Sequence, residues 1–318
     1  MKRVIIFLSI FLLCNSLFSQ MDLYRDTSVN VIENNTNFKN AWASGINAAQ
    51  FNEIDLDLDG TMDLVVFDKS GNKLIPYLNK NGKFVFAPKY RSYFPELHDW
   101  VIFEDYNCDG KKDIYTYTSG GLGIYKNTSS SVLSFSLITD LVLSDYGGPN
   151  AINIFISAVD IPAVSDVDYD GDLDILTFKI TGGFIEFHKN MAMEQTGNCD
   201  TVIFQLEESC WGNFYEGLNN YTLNCQNCQC PPIINHPNAK QKHAGSTLLL
   251  IDIDNDYDKD IVLGDISFSN LNLLINGGDS TNANMVFVDS VFPANNSNTM
   301  SASMDIFPAA YYIDATND

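Results

Sequence analysis

Four short acidic segments recur along this 318-residue chain, and they restrict its fold more than any other feature. They read DLDLDGTMDL from Asp55, DYNCDGKKDI from Asp105, DVDYDGDLDI from Asp166 and DIDNDYDKDI from Asp252. Each has Asp at position 1, Asp or Asn at 3, Asp at 5 and 9, and Leu or Ile at 10. Position 6 is Gly60, Gly110 or Gly171 in three of them and Tyr257 in the fourth. A fifth copy begins at Asp314 and stops at Asp318, where Asp314, Thr316 and Asp318 take positions 1, 3 and 5. Carboxylates a few Å apart repel even when well screened. A fold tolerates such a loop where a cation draws the acids together.

The repeat extends beyond the loop. Position 9 leads into LVVF, IYTY, ILTF or IVLG, and a turn follows. A second apolar run then ends at Asn79, Asn127, Asn190 or Asn276, which lie 16, 14, 16 and 16 residues after position 9. β-type runs joined by short polar turns read as antiparallel strands, and no sustained helical period lies between them. The copies start at 55, 105, 166, 252 and 314, at intervals of 50, 61, 86 and 62 residues. A period of that size with several strands per unit predicts an all-β chain of propeller blades, each sheet covering its neighbour. Phe67, Tyr77, Phe84, Phe103, Tyr117, Phe178, Phe187 and Phe287 are expected to pack between blades.

Hard oxygen donors at alternate positions of a tight loop suit Ca²⁺, which takes six to eight oxygens. The expected ligands are Asp55, Asp57, Asp59, Thr61 and Asp63 in the first loop, and Asp105, Asn107, Asp109, Lys111 and Asp113 in the second. They are Asp166, Asp168, Asp170, Asp172 and Asp174 in the third, and Asp252, Asp254, Asp256, Asp258 and Asp260 in the fourth. Position 7 is expected to offer its main-chain carbonyl. Position 9 is expected to close the site, and glycine at 6 permits the bend. An EF-hand needs a bidentate Glu at position 12 and flanking helices. Position 12 here is Val66, Thr116, Thr177 or Leu263, and the flanks read as strands.

DLDLDGTMDLVVFD, DVDYDGDLDILTF and their relatives resemble FG-GAP/VCBS repeats, the calcium-loop blades of integrin α-subunit heads and of many secreted bacterial proteins. The literal FG and GAP tags of the integrin type are missing, so the bacterial VCBS-like branch fits better. The resemblance implies a β-propeller of about seven blades when complete, of which this chain covers four to five. It also implies a noncatalytic scaffold for adhesion or for binding a protein or glycan at the cell surface. Similar bacterial proteins often carry a C-terminal sorting domain for type IX secretion.

Residues 1–19 have the form of a secretory signal peptide: Lys2 and Arg3, an apolar run from Val4 to Leu13, and small Ser19 at the cleavage point. Residues 20–318 are then the propeller repeats of a secreted or cell-surface protein with no transmembrane span, since the apolar run falls short of the about 20 residues that a spanning helix needs. The formal charge of −22 argues against nucleic acid as a partner, since its phosphates would be repelled. A Cys-rich insertion at about 191–245 holds Cys199, Cys210, Cys225, Cys228 and Cys230. Disulfides are the expectation behind a signal peptide. Five cysteines cannot all pair among themselves, so one is left free or bonds to Cys108. Zinc held by Cys225, Cys228 and Cys230 with His236 or His243 is the lesser alternative. Trp211, Phe214 and Tyr215 either pack a small core of the insertion or form a contact surface.

The chain contains no H-E-x-x-H, G-x-S-x-G or P-loop motif. His188 reads as structural, and Glu207 and Glu208 as surface acids. The alternative to a binding scaffold is a propeller-fold carbohydrate-active enzyme, such as a Ca²⁺-dependent polysaccharide lyase. Lys and Arg converging on one propeller face would favour it, and their total of 18 leans the other way.

Overall fold

The acidic segments lie where two strands of a sheet meet. The computed structural model describes residues 26–313 apart from 27, 44, 219, 231–244, 295–297 and 306. The signal peptide expected at 1–19, the fifth copy from Asp314, and His236 and His243 fall outside those residues. The chain divides into two units, Met1–Trp42 and Ala43–Asp318. In the first, β1 (Ile32–Glu33) and β2 (Thr36–Asn37) form a two-residue hairpin through Asn34 and Asn35. Both turn residues have positive φ, 48° and 61°, which matches the twist of the flanking strands.

The second unit is a four-bladed β-propeller among the described residues, within the four to five blades expected. Blade 1 is β3 (Ala49–Ile54), β4 (Asp63–Asp68), β5 (Lys73–Asn79) and β6 (Phe84–Phe86). Blade 2 is β7 (Val101–Glu104), β8 (Asp113–Thr118), β9 (Gly121–Asn127) and β10 (Phe135–Thr139). Two short strands follow, β11 (Leu143–Asp145) and β12 (Ile152–Asn153). Blade 3 is β13 (Ala163–Ser165), β14 (Asp174–Phe178) and β15 (Ile185–Asn190), then helix α1 (Ala192–Thr196) and β16 (Phe204–Glu208). A hairpin of β17 (Tyr215–Gly217) and β18 (Asn220–Thr222) precedes blade 4. Blade 4 is β19 (Ser246–Ile251), β20 (Asp260–Asp265), β21 (Leu271–Asn276) and β22 (Met285–Phe292).

Strand pairing within every blade is antiparallel, and the register at the acidic loop is the same in all four. Ile54 pairs with Asp63, Glu104 with Asp113, Ser165 with Asp174 and Ile251 with Asp260. The second strand of each blade is covered on both faces, which is why its sequence runs apolar without alternation. Residues 174–178 and 260–265 are buried throughout.

The core lies between blades. Ile54, Val65 and Phe67 of blade 1 meet Val101, Phe103 and Ile114 of blade 2. Trp100, Tyr115 and Ile124 meet Ile154, Ile175 and Phe204. Leu176, Phe178 and Phe187 of blade 3 meet Ile261, Leu263 and Leu274 of blade 4. Each fully buried side chain of this size contributes roughly 1.5–3 kcal/mol. Polar stitches add direction: the Gln50 side chain donates to Asp99 O and accepts from Val101 N, and Asn52 does the same with Val101 O and Phe103 N. The first strands line an axial cavity of about 460 Å³.

Three expectations need correction. Phe287 is 57% exposed, because it lies on outermost β22, where one face meets solvent. The insertion does not start at 191, because β16 is a strand of blade 3, hydrogen-bonded to β15. Nor do its aromatics pack a separate core or form a free surface. Trp211 and Phe214 plug the apolar cluster between blades 3 and 4, and Tyr215 stands edge-on to Phe184 at 5.0 Å. Six of the seven cysteines pair, as Cys108–Cys199, Cys210–Cys228 and Cys225–Cys230, which removes the zinc alternative. His188 is fully buried beside Ser144, with Nδ1 2.9 Å from its Oγ. Among the described residues no helix is long and apolar enough to cross a membrane.

Candidate metal centre: four acidic loops

Each loop is an eight-residue connection held by its own carboxylates. Position 1 accepts the main-chain N–H groups of positions 5 and 6: Asp55 from Asp59 and Gly60, Asp105 from Asp109 and Gly110, Asp166 from Asp170 and Gly171, Asp252 from Asp256 and Tyr257. Position 5 accepts from position 7 in all four, at 2.9–3.2 Å. The chain bends through left-handed residues at positions 4 and 6. Leu58, Cys108, Tyr169 and Asn255 have φ of 58–63°. Gly60, Gly110 and Gly171 follow at 83–103°, and Tyr257 takes the same bend at 69°.

Position 9 does more than the sequence indicates. One oxygen of Asp63, Asp113, Asp174 and Asp260 accepts from position 2, at 2.8–3.0 Å. The other accepts the N–H of Asn79, Asn127, Asn190 or Asn276, at 2.6–2.8 Å. This explains the fixed spacing to those asparagines: position 9 clips the loop to the end of the third strand. The near-constant interval was the signal for it.

The loops differ in what they bring together. Asp55, Asp57 and Asp63 place one oxygen each within 4.8 Å of one another, as do Asp166, Asp168 and Asp174, and Asp252, Asp254 and Asp256. The second loop gathers fewer charges because Asn107 stands at position 3. Lysines from the third strand or just past it reach three loops. Lys80 meets Asp57 at 2.7 Å and Asp59 at 3.2 Å, Lys126 meets Asp109 at 3.4 Å, and Lys189 meets Asp168 and, at 3.2 Å, Asp170. The fourth loop has Ile275 and Gly277 around its asparagine instead, and Lys259 lies over the Tyr169 ring of the third loop at 4.3 Å.

The electrostatics follow. Burial pushes Asp174 up to about 8, against its two main-chain hydrogen bonds. Burial with the charges of Asp256 and Asp260 pushes Asp258 up to about 7. Asp113 and Asp172 are pushed to about 6, again chiefly by burial. Asp63, Asp166 and Asp260 rise for the same reason. Burial also acts on Asp109, but hydrogen bonds from Asn107, Lys111 and Lys126 outweigh it and hold Asp109 below the usual carboxylate range.

Several buried oxygens have no hydrogen-bond partner: Asp57 Oδ1, Asn107 Oδ1 and Asp168 Oδ1 at position 3, Asp172 Oδ1 and both oxygens of Asp258 at position 7. An unmet buried acceptor costs about 1–3 kcal/mol, and native folds rarely leave one. Its recurrence at position 3 in three loops fits a positive ligand, and an all-oxygen donor set fits a hard cation.

A family model described as the FG-GAP-like repeat matches residues 55–116. That segment is similar to an FG-GAP-like repeat. The match spans the first acidic loop, β4 to β6 of blade 1, β7, the second acidic loop and the start of β8. The same loop register and the same position-9 clip return in blades 3 and 4, beyond the matched segment. No curated protein matches the chain. One similar solved structure concerns the specific recognition of non-reducing terminal N-acetylglucosamine by an Agrocybe aegerita lectin. That match covers 79% of this chain and 68% of the other, at 14% identity and a TM-score of 0.38.

Proposed function

We propose that the acidic loops are Ca²⁺ sites and that the propeller is a noncatalytic scaffold, secreted or displayed at the cell surface, which binds a protein or glycan ligand. The observation that carries the calcium reading is the buried, unpartnered oxygen that recurs at position 3 in three of the loops. The ion would be held by the carboxylates or amide at positions 1, 3, 5 and 9 and by the main chain at Thr61, Lys111, Asp172 and Asp258. Calcium supplies the positive charge that lets these groups stay ionised side by side. Lys80, Lys126 and Lys189 supply part of that charge in their own loops, so an ion competes with an ammonium there. The fourth loop has no such lysine, so an ion there meets no competing ammonium from the third strand.

The scaffold reading rests on the chemistry left over once the loops are assigned. Their carboxylates already serve main-chain N–H groups, which suits holding a shape better than moving protons. Two cations beside the axial cavity are engaged: Lys112 with Glu104 at 2.6 Å and Lys259 with Tyr169. Three disulfides suit an oxidising, extracellular setting. The test is a glycan and surface-protein binding screen of the full chain, with and without Ca²⁺. Saturable binding that EDTA abolishes supports the proposal. Polysaccharide cleavage by the same preparation, with no retained ligand, overturns the noncatalytic role in favour of a carbohydrate-active enzyme.

A further inference from the structure

We infer that blade 3 holds a second divalent-cation site, built from Asp168, Asp170, Asp172 and Glu194, beside the one its loop shares with the other blades. The inference rests on the calcium reading for the class of ion and adds a site outside the repeat's own pattern. Glu194 belongs to α1, and no other blade has a helix after its third strand among the described residues. Two hydrogen bonds place that helix. Asn190 Oδ1 accepts from Ala192 N at 3.3 Å, and Asp172 Oδ2 accepts from Met193 N at 2.8 Å. Glu194 is thereby set against the loop, where it, Asp168 and Asp170 bring one oxygen each within 4.8 Å of one another. This trio is separate from the Asp166, Asp168 and Asp174 set, and Asp168 is common to both.

The independent sign of a ligand is Asp172. It is 1% exposed, its Oδ1 has no partner, and it sits in the field of Asp170, Glu194 and Asp168. Position 7 in the first two loops is Thr61 or Lys111, so this side chain has no counterpart there. A cation already occupies the space: Lys189 Nζ contacts Asp168, Asp170 and Glu194 at once. Three carboxylates use all three hydrogen bonds that this ammonium can donate, and the Asp172 carboxyl is surplus to them. A divalent ion matches that surplus better. Asp168, with Oδ2 on the lysine and Oδ1 unmet, is placed to bridge the two ions.

The test is a long-wavelength anomalous map from crystals of the full chain grown in calcium. Blade 3 is expected to show two peaks and each of the other blades one. Glu194→Gln should remove the second peak alone, and Lys189→Met should strengthen it. In equilibrium dialysis Glu194→Gln should bind one ion fewer per chain than the wild type. A single peak in blade 3 with peaks present in blades 1 and 4 overturns the inference and leaves the calcium reading standing. So does a Glu194→Gln map that keeps both peaks. An absence of peaks in every blade overturns both readings.

Discussion

Raising the pH of the metal-free protein should remove stability through Asp174. This carboxyl is fully buried and pushed up to about 8, against 3.8 for the free group. An acid whose folded pKa lies above its unfolded one holds its proton longer in the folded state. Its contribution is complete below 3.8 and is lost as pH rises through 8. At about 1.4 kcal/mol per pH step, roughly 4 kcal/mol goes between pH 5 and 8. Asp258, Asp113 and Asp172 act in the same direction. Asp174→Asn isolates the effect. The amide keeps one acceptor oxygen for the N–H groups of Val167 and Asn190, and leaves the other unmet at about 1–3 kcal/mol. Urea melts in EDTA should therefore show the variant weaker than wild type near pH 5, with the gap closed or reversed near pH 8.5. In saturating Ca²⁺ the wild-type slope across that window should flatten, because the carboxylate is already ionised against the ion. Parallel loss of stability in wild type and variant across the window, without metal, would refute the reasoning.

Two further outcomes follow from the loops and their ties. A Cβ on Gly60 would meet nothing within 4 Å, so Gly60→Ala should cost only the left-handed strain of φ 85°, about 1 kcal/mol, read from the urea midpoint; a neutral variant contradicts this. Cys108 at position 4 ties the second loop to Cys199 across 91 residues, so the double serine variant should lose about 4.6 kcal/mol by chain entropy. Unchanged stability under non-reducing conditions would show that the bridge closes no useful loop.

The sequence displayed the repeat because one residue type recurs there at fixed intervals, and it displayed the central strands because both faces are covered. Register came from the structure, where position 9 pairs with the residue before position 1 in every blade. Other features left no local trace. The left-handed residues at position 4 are Leu58, Cys108, Tyr169 and Asn255, which share no side-chain chemistry. The lysines that enter the loops come from the end of the third strand, well separated from the loop in sequence, so only the pairing of strands brings them there. β16 was hidden inside a Cys-rich stretch because a short helix separates it from β15. Phe287 was misplaced because composition alone does not distinguish an outer strand from an inner one.

Equilibrium dialysis of the full chain against radioactive calcium, at fixed ionic strength, reaches the central claim most directly. The account predicts saturable binding of at least one ion per acidic loop, with dissociation constants no weaker than about 10⁻³ M. Binding that never saturates and vanishes with added monovalent salt would mean that the clustered aspartates form only a diffuse negative surface.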